Sequence, residues 1–350
     1  RKSMKAKLFI LSLLGFGLSS QAQYSELQKN PFHKAYHDSL RAMNYPYTFP
    51  LLAKKAYKKG FDIPYPWGIG TNYFWAKQEV TISNISVGVN GKDPVDLTNV
   101  IQFGKITAEA NAYTIRPDLF VFPFLSVYGV FGFGNSNIDV PVVKPVVFTT
   151  HPTSKATSAG LGFTVAGGFQ GMVLIFDNSF NWLNTDKLTD LVPAYNATLR
   201  FAYQFNSSMR TDRTITVWMG PCFQKIKADT KGEIAINEIF PGLDESQKQN
   251  IKDRLDEWYN SLTPPQQAVA GQIIDKIKEH FAGRDPGNGK ITYQLDKKIA
   301  GPWNLVFGSQ FQFNKHWMMR IEMGAYGQRS QFLLSFNYRF ESLKHKSNQP

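Results

Sequence analysis

From Gln331 to Phe340 the chain alternates between two kinds of side chain. Phe332, Leu334, Phe336, Tyr338 and Phe340 fall on one face. Gln331, Ser335, Asn337 and Arg339 fall on the other, with Leu333 the single exception. A strand turns successive side chains to opposite faces, so one side of this segment is an aromatic wall and the other is wet. Tyr195 to Asn206 repeats the pattern, with Tyr195, Ala197, Leu199, Phe201, Tyr203 and Phe205 opposite Asn196, Thr198, Arg200, Gln204 and Asn206. Trp303 to Asn314 sets Leu305, Phe307, Phe311 and Phe313 against Asn304, Gln310 and Gln312, and Trp317 to Gln328 sets Met319, Ile321 and Met323 against Arg320 and Glu322. Thr214 to Ile226 is weaker, with Val217, Met219 and Phe223 on its apolar side. Segments of about ten residues with this dyad period predict an all-β fold, a transmembrane antiparallel β-barrel with lipid outside and a polar lumen inside.

A late strand ending on Phe340 resembles the C-terminal signal of Gram-negative outer-membrane barrels, which the barrel insertion machinery reads; here Tyr338 and Phe340 carry it, and a tail, Glu341 to Pro350, follows. Phe122 to Gly129, Pro302 to Gly308, Arg320 to Gly324 and Asn337 to Phe340 together resemble a group of outer-membrane barrels of unassigned function. That likeness spans residues 68–340 and implies a fold and an address, the cell outer membrane, but no reaction. The helical insertion described below is a departure from it.

Upstream, Asn72 to Val89, Val100 to Ile115, Phe120 to Phe133, Ser158 to Gly167 and Gly171 to Trp182 supply further strands, giving about ten. With Phe340 at the periplasmic side, Asn314 to His316, Asn206 to Arg213, Gly167 to Gln170 and Arg116 to Asp118 fall as tight periplasmic turns. Gly327 to Ser330 becomes an outer turn, and Gly134 to Thr157, Asn184 to Val192 and Lys227 to Gly301 become long outer loops. Short turns inside, long loops outside and an even strand number are the habit of such barrels. Twelve strands is the alternative, with Ile291 to Lys297 as an added member.

Two regions lie outside the strand pattern. Residues 23–67 are rich in Lys, Tyr and Pro; Asn30 before Pro31 signals a helix start, with His33 to Met43 as one short helix. This region is expected in the periplasm or as a partial plug. Within 227–301, Asp244 and Gln247 form a capping pair ahead of Ile251, Leu255 and Trp258, and Thr263, Pro264 and Gln266 begin a second helix carrying Val269, Ile273, Ile277 and Phe281 before Gly283. These two helices are expected to bury their stripes against each other as an extracellular hairpin. Segment 240–285 is then a candidate site for gating or for a surface partner.

The chain opens with a leader pattern. Lys5 and Lys7, an apolar run from Leu8 to Leu18, and Ser19 to Ala22 read as a signal peptide cut after Ala22, with Arg1 to Ser3 a short extension ahead of Met4. That run is too short for a membrane helix, which needs about 20 apolar residues. The formal net charge is +12, and loss of Arg1, Lys2, Lys5 and Lys7 with the leader lowers it to +8. A basic exported chain suits anionic lipid headgroups and other polyanions; no nucleic-acid motif accompanies the charge, so outer-membrane lipid is the expected partner. Aromatics make up 14% of the 350 residues, which suits a barrel's outer girdles.

Candidate chemistry lies in the lumen. Lys77, Glu79, Lys105, Glu109, Asp177, Arg200, Arg320, Glu322 and Arg339 are the expected inward charges, forming either a polar track for a small solute or a salt-bridged filling. No catalytic residues, metal ligands or cofactor motif are assigned. His33 and His37 are four apart but lack a third ligand of suitable spacing, and no Gly-x-Ser-x-Gly elbow occurs. Cys222 is the only cysteine and forms no internal disulfide. The reading is a monomeric barrel passing a small polar solute, passively or through a gate. The alternatives are a closed barrel anchoring an adhesion or assembly module, and an outer-membrane lipid or peptide hydrolase.

Overall fold

Alternation with an apolar outer face drives each strand to pair on both sides, because an unpaired backbone polar group in lipid costs several kcal/mol and only a closed ring removes the edges. The computed structural model describes residues 31–341 apart from 90–93, 99, 145–146, 170, 227–228, 241 and 285–289. The expected leader and most of the tail therefore lie outside the described residues. Ten strands close the ring: β1 (Trp67–Val89), β4 (Ile106–Phe122), β5 (Leu125–Lys144), β7 (Thr153–Phe169), β8 (Met172–Thr185), β9 (Val192–Asn206), β10 (Thr214–Ile226), β13 (Trp303–Gln312), β14 (Trp317–Tyr326) and β15 (Arg329–Phe340). Every neighbour is antiparallel, and β15 closes on β1 from Trp67↔Phe340 to Gln78↔Arg329. No described helix is long and apolar enough to cross a membrane.

All ten expected strands are present, with shifted boundaries in the first half. The first turn lies at Pro123 and Phe124, not at Arg116 to Asp118, because β4 runs on to Phe122. Pro117 between two charges reads as a turn, yet it sits in the ladder opposite Ile69. It is tolerated there because the ladder to β5 is interrupted between Ile115↔Phe131 and Asp118↔Tyr128, so the missing N–H breaks no bond on that side. The loop expected from Gly134 to Thr157 is much shorter, since β5 continues to Lys144 and β7 begins at Thr153.

The segment Ile291 to Lys297 does form a strand, β12 (Lys290–Ile299), but outside the ring. β1 is long: its first half pairs with β15, and from Val80 to Val89 it pairs with β12, which in turn pairs with β11 (Asp229–Ala235). The barrel count therefore stays at ten, and these strands project beyond the rim. Three very short strands, β2 (Val95–Asp96), β3 (Gln102–Phe103) and β6 (Phe148–Thr150), edge the same end.

A single turn of helix, α3 (Ile236–Ile239), precedes the expected pair, α4 (Glu245–Asn260) and α5 (Pro264–Phe281). Both carry complete capping boxes, at Asp244 with Gln247 and at Thr263 with Gln266, so their starts are fixed locally. Their stripes, including Ile251, Leu255, Ile273 and Ile277, pack against each other and also against Ile85, Val87 and Ile291 of the projecting strands. The helical hairpin is thus the second half of a small outer core rather than self-contained.

At the opposite end, α1 (Pro31–Ala42) and α2 (Ala53–Lys58) build a compact unit around Leu40, Tyr45, Tyr57 and Ile63. It is tied beneath the ring by backbone bonds from Leu51 N to Val121 O (2.8 Å) and from Phe120 N to Pro66 O (2.9 Å).

Candidate functional site: a charged lumen

The outward positions form a continuous apolar band. Ile69, Ile115, Phe131, Leu161, Leu174, Phe201, Met219, Phe307, Met323 and Phe336, one from each strand of the ring, are all exposed. An exposed apolar surface on that scale is stable only against lipid. The inward positions enclose a cavity of about 690 Å3. It runs from His33, Phe61 and Lys315 at the short-turn end up to Leu183, Gln224 and Arg329 near the other. None of its lining comes from α4 or α5.

Five of the nine expected charges face this interior. Arg200 and Glu322 form a bidentate pair, with Nε donating to Oε2 at 2.6 Å and Nη2 to Oε1 at 3.2 Å. Trp218 Nε1 donates to the same Oε2 at 2.8 Å. The pair is nearly sealed, at 6% and 4% exposure, and forms part of the solid wall behind the cavity. Asp177 accepts from Tyr128 Oη at 2.8 Å, from Thr164 Oγ1 at 2.7 Å and from Arg116 Nη2 at 3.3 Å, while the Arg116 guanidinium lies 3.4 Å from the Tyr128 ring centre. Arg339 donates to Asp118 Oδ2 at 2.6 Å and, through Nε, to the Tyr65 carbonyl at 2.8 Å. Arg320 donates to Gln310 Oε1 at 2.8 Å and lies over Trp218.

The other four sit outside. Lys77, Glu79 and Glu109 have the parity of Trp67 and Ile69, and Lys105 precedes β4. Glu79 pairs with Lys105, and Glu109 accepts from Trp75 Nε1 at 2.8 Å. The phase is hard to read here because Tyr73 to Ala76 is apolar on both faces. Ala108, Ala110 and Ala112, which resemble a lipid face, have the inward parity of Arg116. The outward polar residues lie near the long-loop rim, beyond the apolar band. Arg116, Asp118 and Arg329 were missed because turns were expected at those positions; counting parity through Pro117 and back from Gln331 finds all three.

Small residues make room for the polar groups. A Cβ at Gly68 would overlap the Asp118 carboxylate, and one at Gly162 would overlap the Tyr128 ring and the Asn178 carbonyl. Gly162→Ala should therefore cost about 1–3 kcal/mol through overpacking, read as a lower urea midpoint of unfolding in lipid.

The lower end of the cavity is closed by a clasp. Lys315 donates to Asp62 Oδ1 at 2.8 Å, Tyr36 Oη donates to Asp62 Oδ2 at 2.8 Å, and His33 Nε2 meets the Ser207 carbonyl at 2.7 Å. Burial works against the Lys315 ammonium, but Asp62 and the Tyr36 hydroxyl outweigh it and hold its pKa above the ordinary lysine value. Burial and the Asp62 charge push Tyr36 up to about 12, so at neutral pH its hydroxyl keeps the proton that it donates to Asp62. His37 Nδ1 meets the Gly60 carbonyl, His151 pairs with Asp139 and His316 Nδ1 meets the Arg339 carbonyl. Cys222 lines the cavity, with Thr198 Oγ1 and Arg329 Nη2 each 3.4 Å from its sulfur. Tyr338 stacks between His316 and Phe340 at the short-turn rim.

A closed antiparallel ring with an apolar exterior and a charged interior defines the class: a transmembrane β-barrel. The protein is an outer-membrane β-barrel of ten strands. No family model matches the chain, and no curated protein matches it. Among solved structures it is similar to the β-domain of the Bordetella autotransporter BrkA (8% identity, TM-score 0.37, covering 79% of this chain and 100% of that one). It is also similar to the outer membrane protein OprG from Pseudomonas aeruginosa (9% identity, TM-score 0.37, 80% and 100%) and to the translocator domain of the autotransporter NalP from Neisseria meningitidis (9% identity, TM-score 0.33, 91% and 96%). These overlaps are loose and say nothing of activity.

Proposed function

We propose that the barrel passes a small polar solute across the outer membrane, with the N-terminal unit, residues 31–66, acting as a gate on the periplasmic side. The observation that carries this is the cavity itself, which is lined by charged and polar side chains interleaved with apolar ones over most of the ring's height and meets that unit at its lower end. A purely structural filling would leave no space of about 690 Å3 inside the ring. Short turns at one end and long loops at the other give the orientation, with β11, β12, α4 and α5 outside the cell. Tyr338 and Phe340 serve barrel insertion in this reading. Reconstituted liposomes test it: the full chain should admit small sugars and amino acids and exclude solutes of oligosaccharide size, and influx no faster than in protein-free liposomes contradicts it.

A second reading rests on a different observation. The projecting strands and the two helices share their own hydrophobic core above the rim, so segment 240–285 is a preformed unit able to meet a surface partner. Deleting it should leave solute influx intact while abolishing any cell-surface binding the protein confers.

A further inference from the structure

We infer that the lumen selects small anions, which are drawn to Arg320 and Arg329, two sites at different heights of the ring. The inference deepens the passage reading by naming the charge of the solute. Its basis is a count of the charged side chains lining the cavity. Asp62, Asp118 and Asp177 each have one cation: Lys315, Arg339 and Arg116. Glu322, in the wall, is matched by Arg200. Two cavity-lining guanidiniums, Arg320 and Arg329, have no carboxylate partner among the described residues.

Each is held by neutral groups instead. Arg320 has the Gln310 amide oxygen and the Trp218 ring, whose centre is 5.5 Å from its Cζ. Arg329 is only 2% exposed, donates to the Gln224 amide oxygen and to the Cys222 sulfur, and leaves its buried Nε without any partner. Glutamine and indole orient a guanidinium without neutralising it. A guanidinium keeps its charge at any physiological pH and cannot relieve its burial by losing a proton. An uncompensated buried charge is costly and calls for a counter-ion. Inside a narrow ring with low-dielectric walls, two such charges concentrate mobile anions and repel cations, as rings of Arg do in anion pores.

Cys222 is a built-in reporter of that field. It lines the same cavity and is the only cysteine in the chain, so a thiol reagent labels one site next to Arg329. The full-length protein in liposomes would be treated with two methanethiosulfonates of similar size, one carrying a sulfonate and the other a trimethylammonium group. The inference expects the anionic reagent to react at least tenfold faster, and Arg320→Gln with Arg329→Gln to bring the ratio near one. Taking a ratio cancels any change in the reactivity of the thiol itself. Equal rates in the unsubstituted protein, or a ratio unmoved by the two substitutions, overturn the anion assignment and leave passage standing. A thiol reached by neither reagent overturns both.

Discussion

Glu322→Ala should destabilise the barrel by about 3–5 kcal/mol, the cost of stranding one member of a buried ion pair. The substitution removes both acceptors of the Arg200 guanidinium and the acceptor of Trp218 Nε1 in one step. The other carboxylate in this part of the lumen, Asp177, is already taken by Arg116, Tyr128 and Thr164, Arg200 already leaves its buried Nη1 without a partner, and Arg320, which also lies over Trp218, is of the same sign. Removing both charges is a different matter, because a buried pair replaced by apolar groups of similar volume is often neutral in stability. The Arg200→Met, Glu322→Leu protein should therefore recover most of the loss. Urea unfolding in lipid, followed by tryptophan fluorescence, measures both. A single substitution that shifts the midpoint no more than the double would mean that the pair is solvated.

Deleting residues 31–62 should raise conductance severalfold without lowering the unfolding midpoint of the ring. The unit is attached to the barrel by few bonds, chiefly Lys315 with Asp62, His33 with the Ser207 carbonyl, and the Leu51 amide with the Val121 carbonyl. Its own small core is separate from the barrel's ladder, so its loss leaves β1 to β15 paired. The bonds from Arg339 to the Tyr65 and Pro66 carbonyls lie beyond the deletion and keep the start of β1 in place. Lys315→Met, which breaks the clasp alone, should give an intermediate conductance with more frequent transitions. Unchanged conductance in both variants would show that the unit does not gate the lumen.

The strands were legible because lipid imposes a single rule on every outward position, and Phe201, Phe307 and Phe336 obey it without reference to neighbours. The helices of the insertion were legible for another local reason: their capping boxes lie within three residues of each start. What the sequence conceals is whatever depends on phase or on distant backbone. Lys77 and Glu79 face outward although their spacing suggests the lumen, because the apolar stretch before them carries no parity, and Pro117 disguises the strand that brings Arg116 and Asp118 inward. The seat of the N-terminal unit is hidden more deeply. It is fixed through the carbonyls of Ser207 and Val121 on the ring and of Tyr65 on its own side, and a carbonyl has no residue identity to read.

Whether a solute path runs through the ring is decided by single-channel recording in planar bilayers. The pure full-length protein should give discrete conductance steps, larger ones after deletion of residues 31–62, and a reversal potential favouring anions that Arg320→Gln with Arg329→Gln abolishes. Bilayers that stay silent with both the full chain and the deletion protein would contradict such a path and leave the barrel as an anchor for what lies above its rim.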